Sequence, residues 1–344
     1  MESKSIILSI ALISCFFMIA LADPTINYIG ANDNGVSHFP VYQGLKMHIR
    51  CYANPNTSMS NGPVALFDAG LPFSSLVFAN VLIELLPTIS TMNISRACVF
   101  DRYGYGWSDP APYPFMSTEF VYRLHGSLNA ASIQSPYIMV GWSWGSVDIQ
   151  NYALQYMNEV VGLLTIDGTD SAYAFDPKNA PGLAGATAAI EQLLQLLPTG
   201  AVEGMLANIP LEFGYIPSNP LGCAFPIEAQ TANNQWWMTE KNLNTALQEV
   251  QIMIPSTSLL NQTYESMNTA TPLSNIPLVV MTADSNGEYW ILRQNVLASL
   301  SSKSYHIHDN TSSHFIPIQN PAGIVSALQT LLTYVDQHQP IIVI

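Results

Sequence analysis

Leu45-Lys46-Met47-His48-Ile49-Arg50-Cys51 alternates apolar and polar residues at every step. A two-residue period is that of a strand with one face in water. The segment therefore predicts an antiparallel-type strand near a sheet edge, with His48 on the solvated side. The pattern then changes to largely continuous apolar runs at residues 64–67, 97–100, 137–140, 161–166 and 278–281. Such runs predict strands covered on both faces of a parallel sheet. Helical periodicity separates them. Residues 74–86 carry Leu76, Val77, Val81, Leu82, Leu85 and Leu86 and stop at Pro87. The last helix has Asn320 as cap, Pro321 in its first turn, and Ile324, Leu328, Leu331 and Val335 on one face. Strand–helix alternation of this kind predicts an α/β fold with a mostly parallel central sheet and helices on both faces, spanning residues 23–344.

One stretch breaks the alternation. Residues 170–271 contain no parallel-strand run, only helical pieces such as 187–197 and 242–253, joined at Pro210, Pro217, Pro220 and Pro226. The insertion predicts a helical cap over the carboxyl ends of the strands, where open α/β sheets place their sites. Trp236, Trp237 and Met238 are candidates to line an apolar path to that site. Packing of the cap onto the main domain is the competing reading.

Composition narrows the partners. Of 344 residues, 49% are hydrophobic and only 10% charged, and 24 Asp and Glu stand against 10 Lys and Arg. With no basic patch, nucleic acid is excluded as a partner, and anionic lipid is disfavoured. Residues 6–21 form a nearly unbroken apolar run after Lys4, and Ala20-Leu21-Ala22 precedes Asp23-Pro24. This predicts a signal peptide over residues 1–22, cleaved to leave no membrane span; the run falls short of the roughly 20 residues that spanning needs. Asn-x-Ser/Thr sequons at Asn56, Asn93, Asn261 and Asn310 agree with entry into the secretory pathway, and secreted and endolysosomal destinations both remain open. Cys51, Cys98 and Cys223 stay after Cys15 is removed, so at most one disulfide forms. Cys51 and Cys98 fall on candidate neighbouring strands, where a disulfide and two buried thiols fit equally. No Cys/His spacing suits a metal, and no cofactor is expected.

The candidate chemistry begins at Gly141-Trp142-Ser143-Trp144-Gly145, between the apolar run at 137–140 and a helical stretch from Ser146. Gly-x-Ser-x-Gly between a strand and a helix is the form of a nucleophile elbow, in which a tight turn lifts the serine hydroxyl above the sheet. The five-residue pattern alone arises by chance in about one chain in ten of this length. Its partners therefore matter. Serine needs a base within reach, usually a histidine placed after the last strand. His314 follows the candidate strand Tyr305-His306-Ile307-His308 and precedes the terminal helix. Two carboxylates compete to orient it. Asp284, after the run at 278–281, is preferred on chain order, and Asp167, after the run at 161–166, is the alternative. The backbone N–H groups of Trp144 and Leu71 are the expected oxyanion donors, the latter from Asp68-Ala69-Gly70-Leu71-Pro72.

These residues resemble the α/β-hydrolase superfamily, most closely a branch of small, esterase-like serine hydrolases with a helical cap. The resemblance is carried by residues 44–51, Asp68-Ala69-Gly70-Leu71, Asp101-Arg102-Tyr103-Gly104-Tyr105-Gly106-Trp107-Ser108-Asp109-Pro110, the elbow, Ile166-Asp167 and Ser313-His314-Phe315. It implies acyl hydrolysis of a small-molecule ester by Ser143, His314 and an aspartate. Amidase, aminopeptidase and thioesterase chemistry on the same triad, or a non-catalytic binding protein keeping the fold, are the alternatives. Epoxide hydrolase and dehalogenase chemistry is disfavoured, because those members place Asp at the position of Ser143. Trp142 stands where the branch usually has histidine, and Gly145-Ser146 also departs from its pattern, so Trp142 and Trp144 are expected to shape substrate fit. The branch often lacks an acid after the strand ending at Met281, which keeps Asp167 in contention.

Overall fold

A computed structural model describes residues 26–173, 176–201, 226–274 and 276–336. The expected signal peptide, Pro210, Pro217, Pro220 and Cys223 lie outside them. The strands are β1 (Val36–His38), β2 (Val41–Tyr42), β3 (Leu45–Lys46), β4 (His48–Ala53), β5 (Val64–Asp68), β6 (Arg96–Asp101), β7 (Tyr137–Trp142), β8 (Val160–Ile166), β9 (Leu278–Ala283) and β10 (Ser304–Asp309). Eight of them form one sheet in the order β1-β4-β6-β5-β7-β8-β9-β10, and β2 pairs with β3 in a small ribbon. β4 pairs antiparallel with both neighbours, while the pairings from β6 to β10 are all parallel. Strands β5, β7 and β9 are buried along their whole length, which is why they read as unbroken apolar runs.

The helices are α1 (Ala79–Leu85), α2 (Ser117–Ala130), α3 (Gly145–Gln155), α4 (Ala180–Leu196), α5 (Ile227–Trp236), α6 (Glu240–Ser266), α7 (Glu288–Ala298), α8 (Ile316–Gln319) and α9 (Pro321–Asp336). Helices α1 and α9 cover one face of the sheet, and α2, α3 and α7 the other, so two apolar layers sandwich it. The Asn320 carboxamide accepts from the Gly323 N–H at 2.9 Å and caps α9, whose Ile324, Leu328, Leu331 and Val335 are all buried. Among the described residues of 170–271 there is no strand. There α4 packs along α6, which begins on the Thr239 side chain as cap and runs on through Pro255. No helix of the described residues is long and apolar enough to cross a membrane.

The alternating segment departs from expectation. It is broken between β3 and β4, and β4 is buried on both faces from His48 to Tyr52. His48 is fully buried and not solvated. Its polar side is covered by the chain before it and by β6: Ser37 and Asp101 take the His48 ring, and Asp33 takes Arg50. Cys51 and Cys98 stand opposite each other in the β4–β6 register and form a disulfide.

Candidate active site

Ser143 sits between β7 and α3 at φ +53°, in the left-handed region that costs a non-glycine residue energy. The flanking glycines permit this turn. A Cβ on Gly141 would lie 2.5 Å from the Gly145 carbonyl oxygen, and one on Gly145 would lie 2.5 Å from that of Asp68. The turn is held from below by the Ser143 N–H donating to Ile166 O at 3.0 Å, and by the Ser146 hydroxyl donating to Ser143 O at 2.7 Å.

His314 lies in the loop between β10 and α8. Its Nε2 is 2.9 Å from Ser143 Oγ and its Nδ1 is 2.6 Å from Asp167 Oδ2. The His314 side chain is 33% exposed while Asp167 is fully buried, so the far end of the chain is dry and the near end is accessible. Asp167 also has a positive φ, +45°, at the carboxyl end of β8. Besides His314, its carboxylate accepts from the Ala283 N–H (2.9 Å), the Asn286 amide (2.7 Å) and the Trp290 indole (2.6 Å). Those donors hold the carboxylate in place without solvent.

Asp284, the preferred acid on chain order, is not at this imidazole. Its carboxylate faces the sheet edge and accepts from His308 Nδ1 at 2.8 Å. The segment from the end of β9 into α7 nonetheless serves the site, because it supplies Ala283, Asn286 and Trp290 to the carboxylate that β8 delivers. None of these three was singled out from the sequence. Their signal was position alone, next to the loop where an acid was expected.

The loop after β5 lies against the elbow: a Cβ on Gly70 would come within 2.8 Å of Ser143 Cβ. Among the described residues, no protein acceptor takes the N–H of Leu71 or of Trp144. Both donors are therefore available to an incoming ligand atom. No group of three or more His, Cys, Asp or Glu among the described residues is arranged to hold a metal ion.

A family model described as alpha/beta hydrolase fold matches residues 66–214. The chain has the α/β-hydrolase fold. Solved structures agree over nearly the whole length. A Pseudomonas aeruginosa protein provisionally named an epoxide hydrolase aligns with TM-score 0.67 and 12% identity, over 89% of this chain and 98% of that one. A thermophilic esterase from Thermogutta terrifontis aligns with TM-score 0.59 and 16% identity over 88% and 98%. The haloalkane dehalogenase DatA of Agrobacterium tumefaciens gives 0.60 and 14% over 88% and 98%. Curated relatives match over shorter stretches. An uncharacterized protein of Schizosaccharomyces pombe is 33% identical over 73 residues, 21% of this chain and 14% of that protein. An uncharacterized vacuolar membrane protein of Saccharomyces cerevisiae is 27% identical over 131 residues, 36% and 20% respectively. The chain thus spans only a small part of the curated relatives it matches.

Within this α/β-hydrolase fold the four tryptophans expected at the substrate are placed by their contacts with other side chains and the main chain. Trp142 is buried, and its indole donates to the His314 carbonyl at 2.7 Å, which anchors the histidine loop. Trp144 is buried in the layer on the opposite face of the sheet. Trp237 packs 4.8 Å from Phe73, and Trp236 meets Trp107 edge-on at 5.9 Å. These last two contacts run from cap to main domain. The sequons Asn56, Asn93 and Asn261 are partly buried, and Asn310 is exposed four residues before His314.

Proposed function

We propose that the protein is a serine hydrolase that cleaves a small carboxylic ester through an acyl-enzyme intermediate. The observation that carries this reading is the single imidazole bridging Ser143 Oγ and the buried Asp167 carboxylate. Ser143 attacks the ester carbonyl while His314 Nε2 takes its proton, and Asp167 holds the tautomer with the proton on Nδ1. The tetrahedral oxyanion is held by the N–H groups of Leu71 and Trp144. His314 then protonates the leaving alcohol and later activates the water that releases the acid. No step calls for a cofactor.

A route through the secretory pathway is part of the same proposal. It is supported by the Cys51–Cys98 disulfide, a bond that persists in oxidising compartments, and by the four sequons.

A fluorophosphonate probe tests the reading. The wild-type protein is expected to label at one residue, Ser143, and to turn over p-nitrophenyl acetate. Ser143→Ala is expected to abolish labelling and to lower turnover on the order of 10⁴-fold or more. A folded wild-type protein that takes no label would overturn the assignment.

A further inference from the structure

Arg102, immediately after β6, is buried at 3% exposure and spends its guanidinium on two parts of the molecule. On one side, Nη1 donates to the Ala69 carbonyl and to Asp68 Oδ1, the latter at 2.8 Å, and Nη2 donates to the Gly70 carbonyl at 3.3 Å. On the other side, Nε and Nη2 donate to Glu249 Oε1 and Oε2 at 2.7 and 3.0 Å, and the Tyr105 hydroxyl also donates to Glu249 Oε2 at 2.7 Å. Glu249 belongs to the cap helix α6.

The Gly70 carbonyl and the Leu71 N–H are two ends of one peptide unit, and that unit is trans. In a planar trans peptide the carbonyl and the N–H point in opposite directions. Gly70 O is held by the Phe73 N–H at 2.8 Å as well as by Arg102, and together these donors fix where the Leu71 N–H points on the other side. The loop cannot be repositioned freely, because Gly70 already lies against Ser143. Placing a positive charge at the carbonyl also polarises the unit and strengthens its N–H as a donor.

We propose that Arg102 is a positioning residue for oxyanion stabilisation, aiming the Leu71 N–H at the reacting carbonyl, and that Glu249 makes this aim depend on the seating of the cap. The inference rests on the serine-hydrolase reading above. It gives the Asp-Arg segment a part in the chemistry, since the cap would complete the oxyanion site as well as cover it. Lysine cannot replace the planar fork, because one ammonium cannot serve the loop carbonyls and both Glu249 oxygens in that geometry.

The test compares wild type, Arg102→Lys and Glu249→Gln in three measurements. These are kcat and KM on p-nitrophenyl acetate, affinity for a trifluoromethyl ketone that forms a hemiketal oxyanion on serine, and affinity for the matching secondary alcohol. Arg102→Lys is expected to lower kcat about 10- to 100-fold and ketone affinity by the same factor, with KM and alcohol affinity unchanged. Glu249→Gln keeps the shape of its side chain and is expected to give the same pattern at about 3- to 10-fold. Should Arg102→Lys fail to fold, Glu249→Gln decides alone. Unchanged kcat and ketone affinity, a rise in KM alone, or equal losses for ketone and alcohol would each overturn the proposal. Absence of fluorophosphonate labelling in the wild type would instead overturn the serine-hydrolase reading beneath it.

Discussion

Two regions of the molecule arrange serine, histidine and aspartate in the same order. At the elbow, His314 stands 2.9 Å from Ser143 Oγ and 2.6 Å from Asp167. Beneath β1, His48 stands 3.0 Å from Ser37 Oγ and 2.8 Å from Asp101. In both, Nε2 meets the hydroxyl and Nδ1 the carboxylate. The differences lie around the hydroxyl. Ser37 is buried within a strand, and its Oγ also accepts from the Arg50 guanidinium at 2.9 Å, so a cation occupies a lone pair that attack would need. The His48 side chain has no exposure, against 33% for His314. Ser143 instead sits on a tight left-handed turn beside two unclaimed backbone donors. A proton path from serine to carboxylate is thus not enough to make a nucleophile. Exposure, the Arg50 guanidinium on one hydroxyl and the unclaimed backbone N–H groups beside the other separate the two arrangements.

Exchanging each carboxylate for its amide gives the largest contrast. Asp167→Asn is expected to lower turnover of p-nitrophenyl acetate by about 10⁴-fold, because the amide favours the wrong imidazole tautomer. Asp101→Asn is expected to lower it by less than about tenfold, since no reacting atom lies at that end. Asp284→Asn, which touches only the surface His308, should stay near wild type. A large loss in Asp284→Asn with none in Asp167→Asn would reverse the assignment of the acid.

Stability should answer in the opposite sense. His48→Ala empties the site of a fully buried ring and takes a partner from both Ser37 and Asp101, and is expected to cost about 3–5 kcal/mol. His314→Ala removes a partly exposed ring and is expected to cost about 1 kcal/mol or less while abolishing turnover. Urea unfolding with the Cys51–Cys98 bond intact measures both. Equal losses from the two substitutions would remove the distinction between a structural and a functional histidine.

The same comparison explains what was readable in the sequence. The parallel strands were legible because burial on both faces leaves only apolar residues, as in Ile138, Met139 and Val140. Ser143 and His314 were legible because chain order and strand ends locate them. His48 was misread because alternation reports polarity and not exposure. Asp33 and Ser37 of the N-terminal segment, with Asp101 of β6, lie at that face and satisfy its polar groups internally. The acid was undecidable for another reason. Asp167 and Asp284 both follow sheet strands, and only side-chain direction separates them: one turns toward His314 and the other toward His308. Trp142 reads as apolar surface for a substrate, yet its use here is one indole N–H on a main-chain carbonyl. Arg102 and Glu249 are 147 residues apart, and no local pattern announces their pairing.

The smallest expected effect is one of pH, and it has opposite signs in the two regions. Burial pushes the Asp68 carboxyl, beneath the oxyanion loop, up to about 6 against the opposing pull of Arg102. An acid with a raised native pKa stabilises the fold below its unfolded value near 3.9, and that contribution is lost as pH rises through 6. Burial also pushes Asp101 up, but hydrogen bonds from His48 and Ser75 outweigh it and hold the group below the usual carboxylate range. Its contribution is present above pH 4 and is lost as pH falls through the native value. Between pH 4 and 7, Asp68 should therefore withdraw stability, and Asp68→Asn should reduce that slope in unfolding free energies measured across the range. Asp148 is buried beside it and shifted the same way, so the two titrate as a pair and some slope should survive in the single variant. Asp101→Asn should instead flatten the loss of stability below pH 4 and leave the 4–7 range as in wild type. A slope unchanged in Asp68→Asn would mean that the carboxyl under the oxyanion loop stays ionised throughout. Arg102 would then hold a fixed charge on the Asp68 side as well as on the cap.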